Sequence, residues 1–147
     1  MVGDVRFPLL LLLGLLCPLW AVSQPFTRFQ WFAIQHVSPN PIASCNVAMR
    51  PINQHLPRCK GTNTFLHDSL QNVINVCSLP NMRCQNGVNN CHRSASPVNK
   101  TVCRLIRGST KPNCRYTARA MVANFVVACS PPRAGDPPDP LVPVHLD

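Results

Sequence analysis

Glutamate is absent from this chain, tyrosine occurs once, and the acidic side chains amount to five aspartates. With so few carboxylates, nothing balances the basic residues, and an acidic or near-neutral surface is excluded. No CxxC pair occurs, so a zinc knuckle built on that spacing is excluded. Internal repeats and long linkers are missing too, which leaves one domain by size. Beyond the first two dozen residues no stretch is apolar enough to span a membrane.

What is present begins with an apolar leader. Arg6 precedes the run Pro8-Leu9-Leu10-Leu11-Leu12-Leu13-Gly14-Leu15-Leu16, and Ala21-Val22-Ser23 supplies the small residues that signal peptidase cuts beside. Residues 1–23 therefore read as a signal peptide and 24–147 as the mature domain, with Gln24 first. A membrane anchor is the rival reading. Pro8 and Pro18 interrupt the run, which is short for a span of about 20 residues.

The mature segment carries ten arginines and three lysines against Asp68, Asp136, Asp139 and Asp147, and the formal net charge is +9. Such an excess concentrates polyanions around a small domain. Guanidinium grips phosphate bidentately where ammonium does not, so the bias toward arginine points to oxyanion binding rather than solubility alone. Nucleic acid, anionic membrane and glycosaminoglycan all stay open as partners.

Cys17 leaves with the leader. Eight cysteines remain, namely Cys45, Cys59, Cys77, Cys84, Cys91, Cys103, Cys114 and Cys129, and an even number in an exported chain reads as four disulfides. Spacing alone cannot choose among more than a hundred pairings. Asn99-Lys100-Thr101 is the one sequon past the leader and is expected on a surface loop.

Three short helices are predicted. Residues 29–36 hold apolar side chains of mixed periodicity and no breaker. Ser44 should cap a second helix over Cys45–Met49, which Pro51 must stop or kink. Asp68 should cap a third, with Leu70, Val73, Ile74 and Cys77 at helical spacing. Strands follow: an Asn86-Gly87 turn inside a small cysteine loop, a β-rich run over Met121–Cys129, a stiff Pro-rich loop over 130–140, and a last strand over 141–147. Helices followed by strands make an α+β domain.

Of five histidines, His36, His55, His67, His92 and His145, most should be ordinary polar residues. Two have telling neighbours. Gln35 precedes His36 near a helix end. His145 and Asp147 fall on one face of a strand by alternation, so the carboxylate could hold the imidazole in one tautomer.

Gln35-His36, Cys59-Lys60-Gly61-Thr62-Asn63-Thr64-Phe65, Asn113-Cys114-Arg115-Tyr116, Val127-Ala128-Cys129 and Val142-Pro143-Val144-His145-Leu146-Asp147 together resemble the pancreatic-type ribonuclease family over nearly the whole mature chain. The arginine content, the Trp31-Phe32 pair and the Pro-rich loop look most like its host-defence branch, which includes eosinophil, leukocyte and epithelial ribonucleases. The resemblance implies a V-shaped, two-lobed α+β fold with RNA in the cleft. It also implies the pairing Cys45–Cys103, Cys59–Cys114, Cys77–Cys129 and Cys84–Cys91.

Carried over by motif, His36 takes the proton from a ribose 2′-hydroxyl, His145 protonates the departing 5′-oxygen, and Lys60 stabilises the phosphorane. In-line attack needs a base and an acid on opposite sides of phosphorus, and a cation where charge grows. No metal or other cofactor is required, because the nucleophile belongs to the substrate. By the same resemblance Gln35 bonds the phosphate, Thr64 reads the pyrimidine with Asn63 close by, and Asn90 helps hold the downstream base. Asp147 belongs to the substrate site through His145, and Phe65 is core.

Several positions depart from the family pattern. The chain stops at Asp147 where relatives usually continue, so the last strand is expected to fray and loosen His145, reducing activity. Val88 replaces a common polar base contact. Val102 stands where some members carry an Asp that supports the pyrimidine reader. Trp31 and Ile34 replace basic residues that extend phosphate binding in the digestive member, so that grip must come from elsewhere. The resulting expectation is a secreted, monomeric endoribonuclease of host defence, stored in granules or released, that cuts single-stranded RNA after pyrimidines. The alternative is a cationic antimicrobial protein acting on membranes with little or no catalysis.

Overall fold

The structure, a computed structural model, describes residues 26–147; the expected leader over 1–23 lies outside them. Helix α1 (Arg28–His36) starts at a reciprocal cap in which the Thr27 side chain accepts from the Gln30 amide and the Gln30 side chain accepts from the Thr27 amide. The Pro-rich loop closes on the same cap, since Thr27 Oγ1 donates to Asp136 Oδ1 at 2.6 Å. The mixed periodicity of α1 has a structural cause. Phe32 packs with Leu66, Val73, Phe125 and Val127, whereas Trp31 and Ile34 pack on the other lobe around Met49, Ile52, Phe65 and Tyr116. A helix covered from two sides has no single polar face.

The second helix is split in two, α2 (Cys45–Ala48) and α3 (Arg50–Asn53), joined at Met49. As the sequence suggested, Pro51 stops a continuous helix, which breaks at Met49 two residues earlier. It stands in the first turn of α3, where its missing amide proton is not needed. The cap of α4 (Leu70–Asn75) also differs from expectation. Ser69, not Asp68, accepts from the Asn72 amide, while Asp68 takes the Ser69 amide and the Asn72 side chain. A 3-10 turn, Val76–Ser78, follows.

Two antiparallel three-stranded sheets form the arms of a V. One has the order β1 (Thr62–Leu66), β3 (Val98–Leu105), β4 (Tyr116–Ala123); the other has β2 (Cys91–Arg93), β5 (Val126–Ser130), β6 (Val142–Leu146). The run 121–129 is therefore two strands in different sheets. Buried Phe125 marks the change: its amide donates to Ser94 Oγ, and the Asn124 side chain donates to the Ser94 carbonyl.

All four implied disulfides are formed. Three close loops of 52 to 58 residues, worth roughly 4 kcal/mol each in the chain-entropy account. The fourth encloses the Asn86-Gly87 turn, with Gly87 at φ 89°. Asn99 is exposed but lies in β3 opposite Val122 rather than on a loop. No helix among the described residues is long and apolar enough to cross a membrane.

Candidate active site

Helix α1 packs against both β1 and β6 and so carries its last turn between the two arms. His36 ends that turn, 9% exposed, with its ring tilted against Phe32 at 5.3 Å between centroids. Its Nδ1 lies 2.8 Å from the Thr64 carbonyl. A carbonyl only accepts, so Nδ1 carries the hydrogen and Nε2 keeps the lone pair. The pKa is lowered to about 4, mainly because burial penalises the charged ring. The Thr64 bond opposes this shift, and the Lys60 and His145 charges add to it. His36 is thus a neutral imidazole at neutral pH, with one basic nitrogen.

Lys60 precedes β1 and is held at three points. Its Nζ donates to Gln35 Oε1 at 2.7 Å and to Asn63 Oδ1 at 2.8 Å. Its amide donates to Asn53 Oδ1 at 2.9 Å, and its carbonyl accepts from the Tyr116 hydroxyl at 2.6 Å. Asn53 closes the ring by donating from Nδ2 to that hydroxyl at 3.0 Å. Burial lowers the Lys60 pKa. The Asn53–Tyr116 clamp was not foreseen. Tyr116 is the chain's single tyrosine, which was the available signal, whereas nothing about Asn53 distinguished it among other polar residues.

His145 comes from β6, its side chain 59% exposed and its Nε2 4.0 Å from Asp147 Oδ1. At that distance there is no hydrogen bond to fix the tautomer. The other Asp147 oxygen accepts from the Gln85 amide at 3.0 Å, and the Asp147 amide donates to the Val126 carbonyl at 2.9 Å. The last strand is therefore tied down on both sides, and the expected fraying is not seen. Pairing shifts between Ala128 and Cys129, which face His145 and Pro143, so Val144 is the extra residue of a bulge. Bulges re-aim the side chains beside them, and this one precedes His145.

The remaining expected residues divide by what they leave free. Gln35 uses Oε1 on Lys60, and its Nε2 has no partner among the described residues. The Thr64 hydroxyl also bonds nothing described, and buried Val102, opposite it in β3, offers no polar group. Asn63 is 2% exposed with both ends of its amide used, Oδ1 by Lys60 and Nδ2 by the Gln35 carbonyl. Asn90 donates to the Cys129 carbonyl at 3.2 Å, tying the small loop to β5. Val88 is exposed and Phe65 is core. Cys84, Cys91 and Asp147 approach within 4.8 Å of one another, but both sulfurs are in the disulfide and no thiolate is offered to a metal.

The fold and site define a disulfide-bonded α+β protein with a neutral buried imidazole, a restrained ammonium and a second, exposed imidazole gathered around the end of one helix. The chain belongs to the pancreatic ribonuclease family, whose model matches residues 27–147. It is 54% identical to Ribonuclease K3 of Sus scrofa, over 98% of this chain and 96% of that protein. Against Ribonuclease K6 of Saimiri sciureus and of Homo sapiens it is 53% identical, over 96% of this chain and 95% of each relative.

Proposed function

We propose that this chain is an exported endoribonuclease that cuts single-stranded RNA on the 3′ side of pyrimidines. The reaction forms a 2′,3′-cyclic phosphate by acid–base transphosphorylation. The observation that carries this reading is His36, buried and neutral, with Nδ1 held by the Thr64 carbonyl beside an ammonium restrained by Gln35 and Asn63.

His36 Nε2 takes the 2′-hydroxyl proton, and the freed oxygen attacks phosphorus. Lys60 stabilises charge on the non-bridging oxygens as it grows, and the free Gln35 Nε2 donates to the same phosphate. His145 gives its proton to the departing 5′-oxygen, and its exposure lets the ring follow the leaving group. Thr64 offers one donor and one acceptor to a pyrimidine edge, and Val102 opposite it leaves cytosine and uracil weakly distinguished. Asn63 acts through Lys60 and Gln35, while Asn90 and Asp147 shape the far side around the small loop and His145. No step calls for a metal or cofactor. Export rests on the leader and the four disulfides, with glycosylation at exposed Asn99.

Hydrolysis of poly(U) and poly(C) by wild type and His145→Ala tests the reading. Wild type should turn over and the variant should lose at least about a hundredfold in kcat. Equal, negligible rates would reject it.

A second reading, a cationic host-defence protein acting on anionic membranes, is favoured by one feature. Phe26, 44% exposed, stacks on Trp31 at 6.1 Å beside Arg28. Bacterial killing that survives His145→Ala would separate the two functions.

A further inference from the structure

The sequon Asn99-Lys100-Thr101 lies in β3, the middle strand of its sheet. Asn99 is opposite Val122 in β4, and its carbonyl accepts from the His67 amide at 2.9 Å. Side chains directly opposite across an antiparallel pair share a face, so Asn99 and Thr101 stand with Val122 and Ala120. Successive residues alternate faces, which puts Val102 and its partner Thr64 on the other side of the sheet. Asn99 is therefore turned away from the face that carries Thr64.

Beside the sequon is an open hollow of about 520 Å³ with apolar walls of Pro39, Pro41, Ile42, Ala120, Met121 and Val122. Sites for small molecules occupy roughly 300–1,000 Å³. Val122 is 67% exposed, more than any other large hydrophobic side chain described. It sits on β4, an edge of the sheet, and edge strands are places that folded proteins cover, shorten or charge. The polar side chains lining the hollow are engaged, with one exception. His67 donates from Nδ1 to the Ser38 carbonyl at 2.8 Å, and its Nε2 is 2.7 Å from Thr101 Oγ1, which occupies the Thr101 hydroxyl as well. Lys100 Nζ donates to the Asn124 carbonyl at 3.1 Å. The Asn99 side-chain amide bonds nothing among the described residues, and its Nδ2 is the atom to which an N-linked sugar is joined.

The hollow thus combines apolar walls with one free polar group, and that group is an attachment point. Pyranose rings present C–H faces that can cover apolar side chains while their hydroxyls stay hydrated. A sugar joined to Asn99 is held near the hollow at an effective concentration of about millimolar or more. Its anchor is a strand residue, so little further freedom is lost when the ring settles on the wall.

We propose that the first sugars of an N-linked glycan on Asn99 fold back into this hollow and cover Val122, so that the glycan acts as a tethered ligand for the β4 edge of its own protein. This rests on the export and Asn99 glycosylation put forward above.

The test uses the full chain secreted from mammalian cells as wild type, Asn99→Gln, Val122→Ser and the double variant. Asn99→Gln keeps an amide and removes the sequon, and Val122→Ser removes the exposed apolar wall. Glycosylation should raise Tm by about 4 °C when Val122 is present, the shift expected for covering one valine-sized side chain, and by less than about 1 °C in the Val122→Ser background. Trimming the glycan to its first N-acetylglucosamine should keep most of the gain. Nuclear Overhauser contacts should link that sugar to the Val122 methyl groups. Turnover of the dinucleotide UpA should be the same with and without the glycan, since Asn99 and Thr64 are on opposite faces. Equal Tm gains in both backgrounds would overturn the proposal, because the glycan would then act independently of Val122. Absence of the sugar–Val122 contacts would overturn it too, as would a fall in UpA turnover on glycosylation, which would place the sugar at the cleft. Intact mass separates the two readings. An unmodified exported chain would reject glycosylation at Asn99 and this inference with it, whereas a modified chain with additive effects would reject the inference alone.

Discussion

Lys60 shows why single side chains outside the substrate's reach matter here. Its ammonium is fixed by Gln35 and Asn63, but its backbone is fixed by Asn53 and Tyr116. Replacing Asn53 by Ala leaves the Lys60 amide and the Tyr116 hydroxyl short of partners in a buried place, at a cost of about 1–3 kcal/mol. The ammonium should then drift by a fraction of an ångström, and kcat on UpA should fall ten- to a hundredfold with little change in KM. Steady-state kinetics alongside a thermal melt would check both numbers. An equal fall in Tm without the kcat effect would make the clamp purely structural. His36 supplies a pH signature. Its folded pKa of about 4 lies below the 6.5 ordinary for a histidine, so between those values the unfolded chain binds the extra proton. Stability contributed by neutral His36 is complete above pH 6.5 and is lost as pH falls toward 4, by about 3 kcal/mol at most. Urea titrations from pH 7 to 4 should show this fall, and His36→Gln should flatten it. A bound phosphodiester favours the charged ring, so the acid limb of kcat should lie at higher pH than that of kcat/KM.

At the scale of elements, local chemistry and tertiary demand part company at identifiable residues. Pro51 looks disruptive in a sequence, yet it opens α3 at a position that needs no amide proton. Pro51→Ala should therefore change stability by less than about 1 kcal/mol, measured by chemical denaturation; a larger loss would mean that the Met49 junction depends on the proline ring. The elements that were legible carry dense local signals. Gln35-His36 at a helix end, the Cys59–Phe65 motif and the Asn86-Gly87 turn each announce themselves within a few neighbouring residues. What was hidden depends on partners far along the chain. Ser69 rather than Asp68 caps α4 because the Asp68 carboxylate is also claimed by the Asn72 side chain. The run through Phe125 breaks because Ser94, some thirty residues earlier, takes its amide. The burial of Asn53 follows from Tyr116, which is 63 residues away. The bulge at Val144 is equally invisible, since it is a property of the pairing with β5 rather than of β6 alone.

For the whole molecule the decisive quantity is a formal net charge of +9 on a chain without glutamate. Among the described residues no arginine or lysine is paired with a carboxylate, and the one histidine–carboxylate contact is His145 with Asp147 at 4.0 Å, so neutralisation inside the protein is slight. Mutual repulsion of the basic residues then opposes the folded state, while the disulfides, which act through the unfolded chain, offset it without any charge term. Salt should therefore act in opposite directions on stability and on binding. Raising NaCl from 50 to 200 mM shortens the screening length from roughly 14 to 7 Å, which weakens repulsion among surface cations and should raise Tm by a few degrees. The same change removes the counterion-release advantage of gripping phosphates. With about four phosphates neutralised on a single strand, poly(U) affinity should drop roughly fiftyfold. Differential scanning calorimetry and fluorescence-anisotropy titrations in matched buffers would read the two trends, with His145→Ala, which is expected to lose hydrolysis, used for the titrations. A Tm that falls with salt would show that attractive pairs outweigh the repulsion. A flat anisotropy series would show that stacking and base contacts, rather than the arginines, hold the strand.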